Sequence, residues 1–598
     1  MGVISLLFDN IFCWSPLSWR TLKEMGTNQY YIIMKDNIET IAKKRFSNKE
    51  MNVANFIVKC LENEGVKYVF GIPGEENIHL IDALDASSSI RFILVHHEQS
   101  ASFMADMYGR VTGKAGVCIG TLGPGAINLL LGTADAFTDS VPLVAISAQV
   151  GLNRAYKETH QFVDLLSMFK PVTKWAAEMR IPGSVSAMVR KAFKIAQSER
   201  PGSCYLGIPQ DLEEMAVPPD LQPLFPSQVY DSAPSPSQIA RAAKVLDDSI
   251  SPIILAGHGA ARDASQDALI RFSEKLHIPV ATTFMGKGVF PDSHQNALGA
   301  VGFMHHDYVN FGFDSADLLI CVGYDMQEFD PKRINPNADK KIIHVSHYPA
   351  EVDTHYTVTV GIQSDISMAL DDLGKRASPK ECCTTENQKI QNLLQEELEL
   401  GSKDNSFPIK PQRIVSDIRL ALGDSDIVLV DTGALKMWMA RLYPTYKPNT
   451  CLVSNGLSTM AFALPGAIGV KLAYPNRKVL AAVGDGAMMM LGSELETAVR
   501  EHIPVVVLIW EDMAYGLIKW KMDLELGHHS SVDFHNPDFV KYAESFGAKG
   551  FKIRQADDLL PTLKSALEDN AVSVITCPVD YSENIKITDK LGNLTDTL

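Results

Sequence analysis

Val479-Leu-Ala-Ala-Val-Gly-Asp-Gly-Ala487 opens as an apolar run and closes on a glycine-flanked acid, and Val505-Val-Val-Leu-Ile-Trp-Glu-Asp-Met-Ala-Tyr-Gly516 repeats the plan further along the chain. Short apolar runs ended by polar or glycine turns read as buried strands, and strands buried on both faces belong to parallel sheets covered by helices. Such sheets bind ligands just outside the carboxyl ends of their strands. The pattern therefore sets Asp485 and Asp512, 27 positions apart, at two turns on one sheet edge. Magnesium favours hard oxygen ligands, commonly one or two carboxylates completed by phosphate oxygens and water. Gly484 and Gly486 let backbone approach a diphosphate, and a helix expected to start near Gly492 offers unpaired N–H groups. A Gly-Asp-Gly tripeptide alone is more often only a tight turn; the second strand-end acid is what argues for a site.

The same strand–helix alternation extends in both directions. Strands are expected at Tyr68–Gly71, Phe92–Val95, Val117–Gly120 and Leu143–Ser147, then at Pro252–Ala256, Val280–Thr283, Leu318–Val322 and Ile342–Val345. A third group comprises Ile427–Val430, Val479–Val483, Val505–Ile509 and Ser573–Thr576. The fold class is α/β, with three doubly wound parallel-sheet domains over residues 51–217, 237–375 and 411–590. Between the first two, Pro218, Pro219, Pro223, Pro226, Pro234 and Pro236 mark residues 218–236 as a linker outside helix and central strand. A polar connector, 376–410, is expected to carry one solvated helix, Glu386–Leu400. Residues 1–50 lack this patterning and read as an extension.

The 598 residues amount to three or four domains at roughly 150 to 200 residues each. With 46% hydrophobic and 21% charged side chains the chain is neither disordered nor collagen-like as a whole. Against 71 acidic side chains stand 55 basic ones, a formal charge of -16, which disfavours nucleic acid and anionic membrane surfaces as partners. No apolar run is long enough for a membrane span, and Met1 to Trp14, with Asp9 and no basic leader, matches a secretory signal poorly. Nine cysteines, including Cys382-Cys383 but no CxxC, suggest neither a zinc cage nor a disulfide framework, so a cytoplasmic location is expected.

In the first domain Ile93-Leu-Val-His-His-Glu98 ends a strand on an acid and Gln99 to Arg110 continues as a helix. Glu98 should be partly desolvated there, a setting that tunes an acid for proton transfer, although a helix N-terminal acid is the commoner meaning of such a residue. Phe70-Gly-Ile-Pro-Gly74 and Gly120-Thr-Leu-Gly-Pro-Gly-Ala-Ile-Asn128 are glycine–proline turns that bring backbone close to a ligand or a partner subunit. A nucleotide-dependent oxidoreductase would show a GxGxxG after its first strand, and none is present.

Taken together these motifs resemble the thiamine diphosphate enzymes of the acetolactate synthase-like family. The resemblance runs from about Met51 to Thr588 and takes in Lys157-Glu-Thr-His-Gln161, Met168 to Lys174, Thr283-Phe-Met-Gly-Lys-Gly288 and Val579 to Asn584. It implies thiamine diphosphate and Mg2+ as cofactors, with Asp485, Asp512 and the Ala514 carbonyl as metal ligands. Gly74, Gly433, Met460, Gly484, Gly486 and Ala487 become cofactor-binding residues, Met460 being the apolar support around which the cofactor bends. Glu98 would protonate the aminopyrimidine ring, and Gln161 and His160 would stand near the reacting centre. Two departures stand out: Glu511 where relatives have Asn, and Leu435 where they have His. An added carboxylate beside a diphosphate should turn away or be paired. Asp431-Thr-Gly433 and Trp438 resemble the loop that frames the pocket.

In the biosynthetic members the central domain binds FAD. Here Val322 to Arg333 is closer to the flavin-free branch, and Ala256-Gly-His-Gly-Ala260 is a short glycine signal, so FAD stays open as an alternative. The implied reaction is decarboxylation of a 2-oxo acid with carboligation, two pyruvates giving 2-acetolactate and CO2. Gly71 to Asn77 and Arg190 to Ala196 also resemble a 2-oxoglutarate decarboxylase branch, and acyloin synthesis from larger 2-oxo acids or a catalytically silent scaffold remain alternatives. Because Glu98 and the diphosphate site lie in different domains that meet across subunits in the family, a homodimer or homotetramer is implied. A regulatory subunit is not legible in the chain.

Overall fold

The computed structural model describes residues 51–227, 232–301, 308–380 and 384–584. The extension 1–50, Cys382-Cys383 and the end of the expected third domain lie outside them. Three six-stranded parallel sheets follow one another, each wrapped by helices.

The first sheet contains β1 Tyr68–Gly71, β2 Arg91–Leu94, β3 Gly116–Gly120, β4 Leu143–Gln149, β5 Trp175–Glu178 and β6 Ser203–Pro209, in the order β2-β1-β3-β4-β6-β5. The second contains β7 Pro252–Ala256, β8 Val280–Thr282, β9 Ala297–Ala300, β10 Leu318–Val322, β11 Lys341–Ser346 and β12 Val360–Gln363, ordered β12-β11-β10-β7-β8-β9. The third contains β13 Ile427–Val430, β14 Cys451–Val453, β15 Val479–Gly484, β16 Val506–Glu511, β17 Lys549–Lys552 and β18 Ser573–Pro578, ordered β14-β13-β15-β16-β18-β17. The central strands are the expected ones within a residue or two. The edge strands β5, β9, β12, β14 and β17 and the inner strand β6 were not expected; half-exposed edges such as Lys549–Lys552 have no apolar run to announce them.

Two expectations are corrected and one is extended. Pro236 opens the helix Pro236–Asp247, because the first helical position needs no N–H donor. The connector helix spans Thr384–Ser402 and is not solvated all round: Ile390 is buried, and Leu394 and Leu398 pack on the cores below. The helix expected near Gly492 runs Glu494–Arg500, and a shorter, unexpected one, Asp485–Leu491, starts at the acid itself.

The first and third domains share one continuous core. Phe103, Met104 and Met107, on the helix Glu98–Thr112, meet Phe462, Leu464 and Ile468 at and within the helix Ala463–Ala473. Gly469 makes the crossing close: a Cβ there would lie 2.3 Å from the Met104 carbonyl oxygen. Both helices precede or follow site residues, so this contact fixes Glu98 and Met460 in one rigid frame.

Candidate active site

Neighbouring strands β15 and β16 run in register from Leu480↔Val506 to Gly484↔Trp510, which delivers Asp485 and Asp512 to the same sheet edge. Asp485 is 1% exposed. Its Oδ1 accepts the Gly486 N–H at 2.9 Å; its Oδ2 accepts the Asp512 and Met513 N–H groups at 3.1 and 2.6 Å and Asn536 Nδ2 at 2.8 Å. Those donors lock the carboxylate and lace the two turns together. Met513 adopts a left-handed φ of 55°, an uncommon state for a non-glycine residue that the surrounding bonds enforce.

Burial, and then the charge of Asp485, hold the Asp512 carboxyl well above the usual carboxylate range. Two crowded carboxylates with a backbone carbonyl at Ala514 form an all-oxygen donor set, and a divalent cation between them would relieve the repulsion; the residues fit magnesium. Glu511, the expected anomaly, is paired: Asn536 Nδ2 bridges to its Oε1 at 3.3 Å while holding Asp485.

A cavity of about 110 Å³ opens beside this pair, lined by Gly433, Met460, Gly484, Asp485, Gly486, Ala487, Asp512 and Ala514 among others. All eight were expected from the sequence. Leu435 also lines it, its Cδ2 3.8 Å from where a Gly484 Cβ would stand, giving the cavity an apolar floor. Tyr515, Tyr581 and Asn536 were missed. The tyrosines lie in loops or at their ends, and Asn536 follows Asp512 by 24 unpatterned residues, so none carried a signal. Trp438 does not frame the pocket; it is buried in the core, with Nε1 donating to Asn584 Oδ1 at 2.8 Å.

The first-domain residues gather elsewhere, at the carboxyl edge of β2, β1 and β3. Glu98, 8% exposed, accepts Asn128 Nδ2 at 3.0 Å on its Oε2. Gly125 leaves room beside its Oε1, since a Cβ there would come within 3.1 Å. Gly74 abuts Thr121 on the same rim, where a Cβ would be 2.3 Å from the Thr121 Cβ. Gly123, at φ 56°, packs under the Gln161 carbonyl, and Gln161 and His160 sit exposed on the turn above. Glu98, Gly74, Gln161 and His160 thus form one group, and none lines the cavity of their own chain.

In the central domain the glycine turn around Gly257 is filled by the chain's own Glu328. Both oxygens of Glu328 accept the His258 N–H at 3.1 Å, Thr283 Oγ1 donates to it as well, and a Cβ at Gly257 would meet its Oε1 at 2.5 Å. Glu328 thereby caps the short helix His258–Arg262.

A carboxylate pair on a parallel-sheet edge, glycines around a small cavity and a separate acid-bearing rim define a cofactor enzyme of the thiamine diphosphate class. Family models for thiamine pyrophosphate enzymes match their N-terminal TPP binding domain at residues 51–168, central domain at 239–373 and C-terminal TPP binding domain at 431–577. The chain belongs to this family and is an enzyme of its acetolactate synthase-like type. It is 35% identical to a probable acetolactate synthase large subunit of Methanocaldococcus jannaschii, covering 91% of this chain and 95% of that one. It is 33% identical to an acetolactate synthase of Bacillus subtilis, covering 90% and 95%, and 34% identical to a catabolic acetolactate synthase of Raoultella terrigena, covering 91% and 97%.

Proposed function

We propose that the protein decarboxylates a 2-oxo acid and joins the remaining fragment to a second one, with two pyruvates giving 2-acetolactate and CO2. The carrying observation is the buried Asp485–Asp512 pair with its cavity, set in a chain similar over nine-tenths of its length to acetolactate synthases. Thiamine diphosphate, when bound, supplies a carbon nucleophile that adds to a keto carbon and takes up the electrons left by departing CO2. Asp485, Asp512 and the Ala514 carbonyl hold magnesium. Gly433, Gly484, Gly486 and Ala487 keep the floor open for the diphosphate, and Met460 supports the organic part.

Glu98 holds and returns a proton at Oε1, the oxygen that Asn128 leaves free. It serves the cavity of a second copy of the chain, a reading supported by its absence from the lining of its own. Ile127 and Leu131 beside it, each 39% exposed, and Met489 and Met490 near the cavity supply apolar surface for that pairing. A homodimer or homotetramer follows. Gly74 belongs to the same rim and Gln161 and His160 orient the substrate, while Leu435 keeps water from the diphosphate end. Some relatives are named large subunits; a smaller partner of this chain is tested by co-purification. No helix among the described residues is long and apolar enough to cross a membrane, and the described cysteines are free, in keeping with a cytoplasmic enzyme.

The test is incubation of the purified protein, thiamine diphosphate and magnesium with pyruvate, 2-oxoglutarate and aromatic 2-oxo acids, followed by mass analysis of products. Acetolactate from pyruvate is expected. Succinic semialdehyde from 2-oxoglutarate alone would replace carboligation by simple decarboxylation, and no CO2 from any substrate would overturn the reading.

A further inference from the structure

The loop from Val453 to Ala463, which carries Met460 to the cavity wall, is held by side chains from outside itself at almost every residue. From the first domain, Arg110 Nη1 donates to the Val453 carbonyl at 2.6 Å. Asp139 accepts the Asn455 and Gly456 N–H groups at 3.2 and 2.6 Å. Asp135 Oδ1 accepts Ser454 Oγ and Thr459 Oγ1 at 2.6 and 2.7 Å. From the central domain, the Glu328 carbonyl accepts Asn455 Nδ2 at 2.6 Å. From the third, Asp431 accepts the Ala461 and Ala463 N–H groups at 2.8 and 3.1 Å. Lys436, 3% exposed, donates Nζ to the Ser454 carbonyl at 2.7 Å and to Ser458 Oγ at 3.1 Å.

Such over-determination has a local reason. Ser458 and Ala461, close on either side of Met460, adopt left-handed φ of 54° and 68°. Non-glycine residues persist there only when their surroundings compel them, at roughly 1–3 kcal/mol each. Relaxing either would rotate the backbone that aims Met460. A buried lysine and aspartate are also expensive unless paired, and here the Lys436 ammonium and Asp135 Oδ1 are both bonded to this loop.

We propose that Lys436 and Asp135 are positioning residues that hold the strained 454–461 loop and thereby set Met460 against the bound cofactor. The role rests on the reading that the cavity takes thiamine diphosphate, and it concerns the organic part of that molecule rather than its diphosphate. The two ends can be separated in a binding experiment. Lys436→Met removes both donors at similar length, and Thr459→Val removes one bond to Asp135 without changing shape. Each variant and the wild type are titrated calorimetrically, in magnesium, with thiamine diphosphate and with inorganic diphosphate. Lys436→Met should lose thiamine diphosphate affinity by about tenfold or more, as for loss of hydrogen bonds to a charged group, with inorganic diphosphate unchanged. Thr459→Val should show the same pattern with a smaller loss, and it decides alone if Lys436→Met fails to fold. Met460→Ala should match Lys436→Met, and combining the two should add little. Wild-type affinity for thiamine diphosphate in the variants, or equal weakening of both ligands, overturns the proposal. A wild-type protein that binds neither ligand overturns the functional reading itself.

Discussion

Gly516 opens the helix Gly516–Leu526, and a Cβ built on it would lie 2.3 Å from Asp512 Oδ2. A carbon and a carboxylate oxygen in contact stand roughly 3.3 Å apart, so Gly516→Ala must push that oxygen aside by about 1 Å. Metal–ligand distances tolerate only about 0.2 Å, and a displacement several times larger removes Asp512 from a magnesium shell. Loss of supporting geometry around a metal typically weakens it about 10–100-fold, and losing one of two carboxylates belongs at the upper end. The fold itself should not suffer. Alanine is a better helix former than glycine by up to about 1 kcal/mol, and the colliding atom is the end of a side chain rather than backbone. The expected result is therefore a split: thermal unfolding of the cofactor-free protein at or above wild type, with calorimetric affinity for thiamine diphosphate in magnesium reduced about 100-fold. Unchanged affinity would refute the placement of Asp512 in the metal site, and parallel loss of stability would refute the steric account.

Gly469→Ala tests the opposite balance, because its Cβ would collide with backbone, 2.3 Å from the Met104 oxygen and 3.0 Å from the Met104 Cα. Overpacking of roughly 1–3 kcal/mol should outweigh the helix gain of about 1 kcal/mol, and urea unfolding should show a net loss; stabilisation would contradict the close helix crossing. Burial holds the Glu328 carboxyl at about 7 against an ordinary 4.5. The folded chain keeps this proton longer than the unfolded one, so the contribution is complete below pH 4.5 and is lost as pH rises through 7. Glu328→Gln should gain on wild type across that window by up to about 3 kcal/mol, and melting curves at pH 5 and pH 8 that differ by the same amount in both proteins would refute it. Asp512→Asn should raise the stability of the cofactor-free protein by about 1 kcal/mol while lowering magnesium-dependent binding of thiamine diphosphate at least about tenfold, read by thermal shift and calorimetry.

The third-domain half of the site was legible because its residues sit where apolar strands stop. Gly484, Asp485, Gly486 and Asp512 each follow a run of buried side chains, and burial on both faces writes itself into sequence as an uninterrupted apolar string, whereas Ala487 and Ala514 came from the family resemblance. Met460 had no such marker, since a partly buried methionine looks like any core methionine, and only the family resemblance singled it out. Asn536 was invisible for a different reason: its value lies in reaching back to Asp485 and Glu511, a contact made by chain folding and not by spacing. The short helix Asp485–Leu491 escaped notice for a related reason, because Met488, Met489 and Met490 give no sign of where a helix starts. Trp438 shows how a motif position can be recognised correctly and its surroundings misjudged.

The hold on the Met460 loop also limits how this architecture can be taken apart. Arg110 and Asp139 from the first domain, a carbonyl from the central one and Asp431 with Lys436 from the third all terminate on the same few residues. Chimaeras that exchange a whole domain with a relative therefore exchange one wall of a shared socket, and the natural crossover points lie inside this loop's partners rather than at the linkers between sheets.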